Sequence, residues 1–207
     1  VNGGNPVMTV PSSVGSGSSC IRDPYVYRKQ DGTFVMIATD WTNFGGKSVS
    51  AYGTSYSDNY WGTKSPCLIF SDSDDLINWK NTRCIRMVTL SAEAMSARGQ
   101  SQMHVWAPEV ILDDGSSKEV TGEKYTYGVI WSGDGNLSRD AAYKIPASNT
   151  SGYDWANRTY INYTNDFVTF TEPYLYFQND YTGTVITEID ASITKADGKY
   201  YLFFKNE

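Results

Sequence analysis

The chain has 207 residues, with 17 Lys+Arg against 23 Asp+Glu and a formal net charge of −6. A binder of a phosphate backbone needs clustered Lys and Arg to displace counterions. No basic run occurs here, which excludes nucleic acid as the main partner. Apolar residues come in short bursts and never in a stretch near 20, which excludes a transmembrane helix.

In chain order, Val1 comes without Met or an apolar leader core, which reads as a mature chain whose targeting segment is gone. The acidic composition, rich in Thr, Ser, Asn and Tyr, suits a secreted or extracytoplasmic protein. Residues 11–19 are Ser/Gly-rich and read as a lead-in. Strands are then expected at 25–27, 34–38, 67–70, 110–112, 125–131, 160–163 and 200–204, because β-branched and aromatic residues cluster there between Gly, Asp, Asn and Ser. Residues 90–98 alone have helical character, inside a loop at 91–102. Cys20, Cys67 and Cys84 match no zinc spacing. Cys67 and Cys84 flank a segment read as a hairpin, leaving room for one bridge, with Cys20 a buried thiol.

Repetition narrows this all-β reading to a propeller. Asp23-Pro24-Tyr25-Val26-Tyr27 leads to Asp31-Gly32 and a second strand. The order recurs from Pro108 through Asp114-Gly115 and a polar insert to residues 125–131, and from Asp190 through Asp197-Gly198, with starts 85 and 82 residues apart. Asp-Gly between apolar alternations is a strong hairpin signal. A second element, Asp75-Leu76-Ile77-Asn78-Trp79 and then Asp166-Phe167-Val168-Thr169-Phe170, closes the outer two strands of a four-stranded unit. The expected fold is one propeller domain over 1–207: a lead-in at 1–20, a first blade with its loop at 21–105, a second blade at 106–187 and the inner half of a third at 188–207. A half blade leaves an open strand edge, so a C-terminal segment or second chain is expected to complete the ring.

Residues that open each repeat converge on one mouth, where Asp23 and Asp190 hold matched positions. Carboxylates near an axis are costly unless used, hydrogen-bonded or bound to a cation. The alternative for each is an Asp that caps a strand or ligates Ca²⁺. Paired acids with aromatic platforms and no nucleophilic Ser or Cys motif suggest hydrolysis of a glycosidic bond. Trp41 and Trp131 lie at or just after corresponding strand ends, and Trp106 precedes the second blade, so all three are candidate walls for sugar rings. Trp79 and Trp155 read as packing between blades; His104 could ligate a metal or contact sugar, though a lone His more often satisfies a local hydrogen bond. Arg22 stands beside the first acid and could donate to substrate. Asn136, Asn149, Asn157 and Asn162 start glycosylation sequons that matter only in a eukaryotic secreted host.

The segments Ile21-Arg22-Asp23-Pro24-Tyr25-Val26, Ser73-Asp74-Asp75-Leu76-Ile77-Asn78-Trp79, Trp106-Ala107-Pro108-Glu109-Val110 and Ile189-Asp190-Ala191-Ser192-Ile193 carry a resemblance in order and spacing. So do Asp166-Phe167 with Thr169-Phe170, and Asp197-Gly198-Lys199-Tyr200-Tyr201-Leu202. Together they resemble glycoside hydrolase family 43, five-bladed propellers that include α-L-arabinofuranosidases, arabinanases and β-xylosidases. The resemblance implies four-stranded blades, of which this chain supplies about the first three. It implies inverting hydrolysis of an arabinose- or xylose-containing plant carbohydrate, with Asp23 as general base and Asp190 as the residue that orients and tunes the acid. The general acid, a fourth-blade Glu, is expected outside this chain. Glu109 would shape the pocket floor, and Glu207 could bind a sugar hydroxyl. No cofactor is required, though some relatives carry a Ca²⁺ or Na⁺ ion in the central channel. A fructan hydrolase of a related five-bladed group is the second enzymatic reading, since Arg22-Asp23-Pro24 looks like one of its motifs, but the Asn-Asp-Pro context expected before it is missing. A carbohydrate-binding propeller without the acid, or a protein-interaction propeller, are the non-enzymatic ones.

Overall fold

The computed structural model describes residues 2–14, 20–41, 65–89, 103–134, 157–178 and 187–206. The expected helix at 90–98 lies outside the described residues. Four strands, β1 (Ile21–Arg28), β2 (Phe34–Asp40), β3 (Cys67–Ser73) and β4 (Trp79–Arg86), form one sheet. A second comprises β5 (Trp106–Leu112), β6 (Tyr127–Asp134), β7 (Asn157–Thr164) and β8 (Tyr174–Phe177), and β9 (Glu188–Ala196) pairs with β10 (Lys199–Asn206) in a third. Within each sheet the spatial order follows the chain and every pairing is antiparallel. The chain is thus nearly all-β, built of up-and-down sheets of the kind that form propeller blades.

Local chemistry explains the turns. Between β9 and β10, Asp197 and Gly198 both take positive φ, 50° and 72°, as a two-residue hairpin turn requires. Between β1 and β2, the Asp31 carboxylate accepts from the Thr33 amide at 2.9 Å and from its hydroxyl at 2.7 Å. In the β5–β6 connection the expected polar insert is helical. Asp113 accepts from the amides of Gly115 and Ser117 and from the Ser117 hydroxyl, winding the polar insert into a short helix, α1 (Ser116–Thr121).

The β3–β4 and β7–β8 turns are the same device built twice. Ser73 Oγ accepts from the amides of Asp75 and Leu76, and Asp75 from those of Ile77 and Asn78. Thr164 Oγ1 serves Asp166 and Phe167 in the same way, and Asp166 serves Val168 and Thr169. The apolar residue in the middle is left-handed in both, Leu76 at φ 66° and Phe167 at 58°.

The sheets pack face to face through alternate residues. Val35, Ile37, Leu68 and Phe70 of the first meet Tyr127, Val129, Trp131 and Tyr160 of the second. The opposite face of the second sheet sets Ile130, Ile161 and Tyr163 against Ala191, with Ile193 and Leu202 packed alongside. Lying between two neighbours, β6 and β7 are buried at every residue. At Gly128 of β6 an added Cβ would stand 2.6 Å from Ile161 Cδ1 and displace that side chain. Cys67 and Cys84 are not bridged: the register sets Cys67 opposite Arg86 and Cys84 opposite Ile69.

Candidate active site

Each innermost strand carries one extra residue near its start. From Arg22 to Tyr25, β1 advances three residues while β2 advances two, from Thr39 to Ile37. The same slip separates Trp106 from Glu109 against Ser132 and Ile130, and Ile189 from Ser192 against Lys205 and Phe203. Such bulges re-aim a side chain at the end of a strand. At each one a residue is left-handed: Asp23 at φ 49°, Ala107 at 46° and Asp190 at 55°. The structural counterpart of the two acids in the second sheet is therefore Ala107, one residue earlier than the Pro108 expected from the repeat. Asp tolerates this backbone through its short polar side chain, whereas Ala has no such compensation.

Asp23 and Asp190 are both solvent-exposed. Asp23 Oδ2 accepts from Thr39 Oγ1 at 3.0 Å, and Thr39 Oγ1 in turn accepts from the Ala107 amide at 2.9 Å. Two sheets thereby meet at the first acid.

Arg22, which precedes Asp23 in the chain, begins a stack of flat groups. The Arg22 guanidinium lies 4.3 Å over the Trp41 ring, and Trp41 leans on Trp106 with centroids 5.9 Å apart. Trp106 stacks on the buried His104 at 3.6 Å and 8°. His104 is fixed from behind: its amide donates to Asp134 Oδ1 at 3.0 Å, and its Nε2 lies 2.6 Å from Asn157 Oδ1. Its Nδ1 lies 3.3 Å from the same Asp134 oxygen. Both indoles of this stack are half-buried.

A family profile described as "Probable glycosyl hydrolase domain", related to glycoside hydrolase family 43, matches residues 1–207. The chain belongs to this family. Among curated proteins it is similar to an α-L-arabinofuranosidase of Bifidobacterium longum subsp. longum, with 29% identity over 209 residues that cover 100% of this chain and 16% of that protein. Among solved structures it is similar to an exo-β-1,3-galactanase of Phanerochaete chrysosporium with galactose, at a TM-score of 0.41 and 14% identity, covering 90% of this chain and 32% of that one. The chain thus spans a minor part of the length of either relative.

In this glycosyl hydrolase domain the other sequence-derived site residues fall in several places. Trp131 is no wall of the mouth: it is fully buried in the interface between the first two sheets, stacked on Tyr160 and donating from Nε1 to Asn162 at 2.6 Å. Its register, one residue short of Ser132, turns it toward the first sheet. Glu109 accepts from the Ile193 amide at 3.1 Å, tying the second sheet to the third. Burial first, and then the Glu109 charge, push the Tyr25 hydroxyl pKa up. Glu207 and Trp155, with the sequons at Asn136 and Asn149, lie outside the described residues. Asn157 and Asn162 are buried and engaged in hydrogen bonds, so their sequons are closed in the folded chain.

Sequence reasoning missed Thr39, Ala107 and Glu188. Glu188 is fully buried and accepts from the Thr159 amide and hydroxyl at 3.1 and 3.0 Å, anchoring β9 to β7 just before Asp190. Its only sequence signal was a carboxylate two residues ahead of an expected acid. Among the described residues no three His, Cys, Asp or Glu side chains gather into a group that could hold a metal ion. Among them, too, no helix is long and apolar enough to cross a membrane.

Proposed function

We propose that this domain is part of an inverting glycoside hydrolase acting on arabinose- or xylose-containing plant carbohydrate, with α-L-arabinofuranosides as the first choice. The observation that carries the reading is the pair of aspartates, Asp23 and Asp190, on matched left-handed bulges at the same end of two inner strands in a chain of this family. Strained non-glycine residues concentrate at functional sites. The 29% identity to an arabinofuranosidase over the whole chain favours the arabinoside over the xyloside.

In this reading Asp23 is the general base that takes a proton from the attacking water. Inversion needs base and acid about 6.5–9.5 Å apart, so that the water fits between base and sugar. Asp190 supplies a negative charge that keeps a neighbouring acid protonated, and that acid is a Glu contributed by another part of the protein. Arg22, Trp41 and Trp106 hold the sugar. No cofactor is needed, since carboxylates and water supply both proton transfers. A polymeric plant substrate places the enzyme outside the cytoplasm.

Further sheets from the same protein or a second chain complete the ring of five. Two faces support this: Val26 and Leu76 on the first sheet are 46% and 44% exposed, and Phe203 on the third is 62% exposed. The test uses the full protein on aryl α-L-arabinofuranoside, β-D-xyloside and β-D-galactoside, with the first-formed sugar read by proton NMR. Release of arabinose as the inverted β-anomer is expected. Retention of the α-anomer, or no cleavage of either pentoside, would refute the reading.

A further inference from the structure

We infer that Thr39 is a positioning residue of this site, one that holds the Asp23 carboxylate in the rotation a general base needs. The inference rests on the reading of Asp23 as base. Thr39 is fully buried in β2, opposite Arg22. A hydroxyl carries one proton and two lone pairs. The Ala107 amide can only donate, so Thr39 Oγ1 accepts on that side. Its single proton is then directed at Asp23 Oδ2. Donor and acceptor roles follow from covalent chemistry alone.

The consequence is rotational. The terminal torsion of an Asp is broad and roughly two-fold, so an exposed carboxylate swings unless something holds it. Anchoring Oδ2 leaves Oδ1 as the oxygen that can meet a water. The left-handed Ala107 acquires a purpose here, because its bulge is what presents the amide of the second sheet to a hydroxyl of the first.

The second sheet contains the same arrangement without its carboxylate. Ser132 stands opposite Trp106 as Thr39 stands opposite Arg22. It is fully buried, and its Oγ has no hydrogen-bond partner among the described residues. The bulge residue there is Ala107, which offers no acceptor. The Ser132 hydroxyl is thus idle beside Ala107, whereas the Thr39 hydroxyl is engaged beside Asp23.

Steady-state kinetics of the full protein on its best aryl pentoside test this with Thr39→Val, Thr39→Ser and Asp23→Asn. Val keeps the shape and removes the hydroxyl, so kcat should fall about 10- to 100-fold, the scale of a misplaced reacting group, with KM within about two-fold. Ser should restore kcat to within about three-fold and melt near wild type, while Val, which leaves the Ala107 amide without its acceptor, should melt a few degrees lower. If Thr39→Val does not fold, Thr39→Ala carries the same expectation. Unchanged kcat in Thr39→Val, or equal loss in Val and Ser, would overturn the positioning role. Unchanged kcat in Asp23→Asn would instead overturn the base assignment, whatever Thr39 does.

Discussion

Replacing Phe167 by Ala tests how the sheets are held in register. Phe167 sits at the left-handed centre of the β7–β8 turn, 1% exposed, its ring 4.7 Å from Tyr127 and its carbonyl accepting from Arg83 Nη2 at 2.9 Å. Ala meets the same positive φ, so backbone strain changes little and the lost burial dominates. A fully buried Phe cut to Ala costs about 3–5 kcal/mol, since packed neighbours relax only partly into the cavity. Val168, the next residue in the same turn, is 59% exposed, so Val168→Ala should stay within about 0.5 kcal/mol. Urea unfolding followed by tryptophan fluorescence separates the two. A loss below about 1 kcal/mol at Phe167, or an equal loss at Val168, would refute the account of the sheet interface. Leu76 extends the argument, because it holds the position of Phe167 in the first turn but is 44% exposed among the described residues. If another sheet of the full protein covers it, Leu76→Ala should cost about 2–5 kcal/mol there.

Two further outcomes are expected. The Asp75 carboxylate is held below its ordinary range by the Asn78 amide first, then by the Ile77 amide and the Asn78 side chain. A depressed folded value stabilises above the unfolded pKa, so the melting-temperature gap between wild type and Asp75→Ala should be constant from neutral pH to about 5. It should shrink as the pH falls below about 4, while the unfolded carboxyl takes up its proton; a gap independent of pH would contradict the turn chemistry. The two indoles should also separate by readout: Trp106→Ala should raise KM for sugar at modest cost in stability. Trp131→Ala should lose about 3–5 kcal/mol of stability through the core, as urea unfolding would show.

Much of this fold was legible in the sequence because its strands are short, aromatic and bounded by turn residues, and because the Asp-apolar turns at Asp75 and Asp166 repeat in letters as well as in geometry. What escaped depends on register between strands. The bulge at Ala107 is set by Ser132 and Ile130 across the sheet, and an alanine carries no chemical mark, so Pro108 looked like the start of the repeat. Trp131 looked like a mouth residue because strand ends are visible in sequence while the face a residue takes is not. The bond from Ala107 to Thr39 joins residues 68 apart in the chain, and it exists only once two sheets are packed. The helix α1 hid in a polar insert that Asp113 organises through the Ser117 amide and hydroxyl.

The central claim is that Asp23 does chemistry on a sugar that the neighbouring residues bind. Its most direct test is Asp23→Asn in the full protein, measured twice, for hydrolysis of the aryl α-L-arabinofuranoside and for calorimetric affinity toward the released sugar. The account predicts a fall in hydrolysis of about 10²–10⁴-fold, the usual worth of a general base, with affinity nearly unchanged. Hydrolysis at the wild-type rate would contradict it.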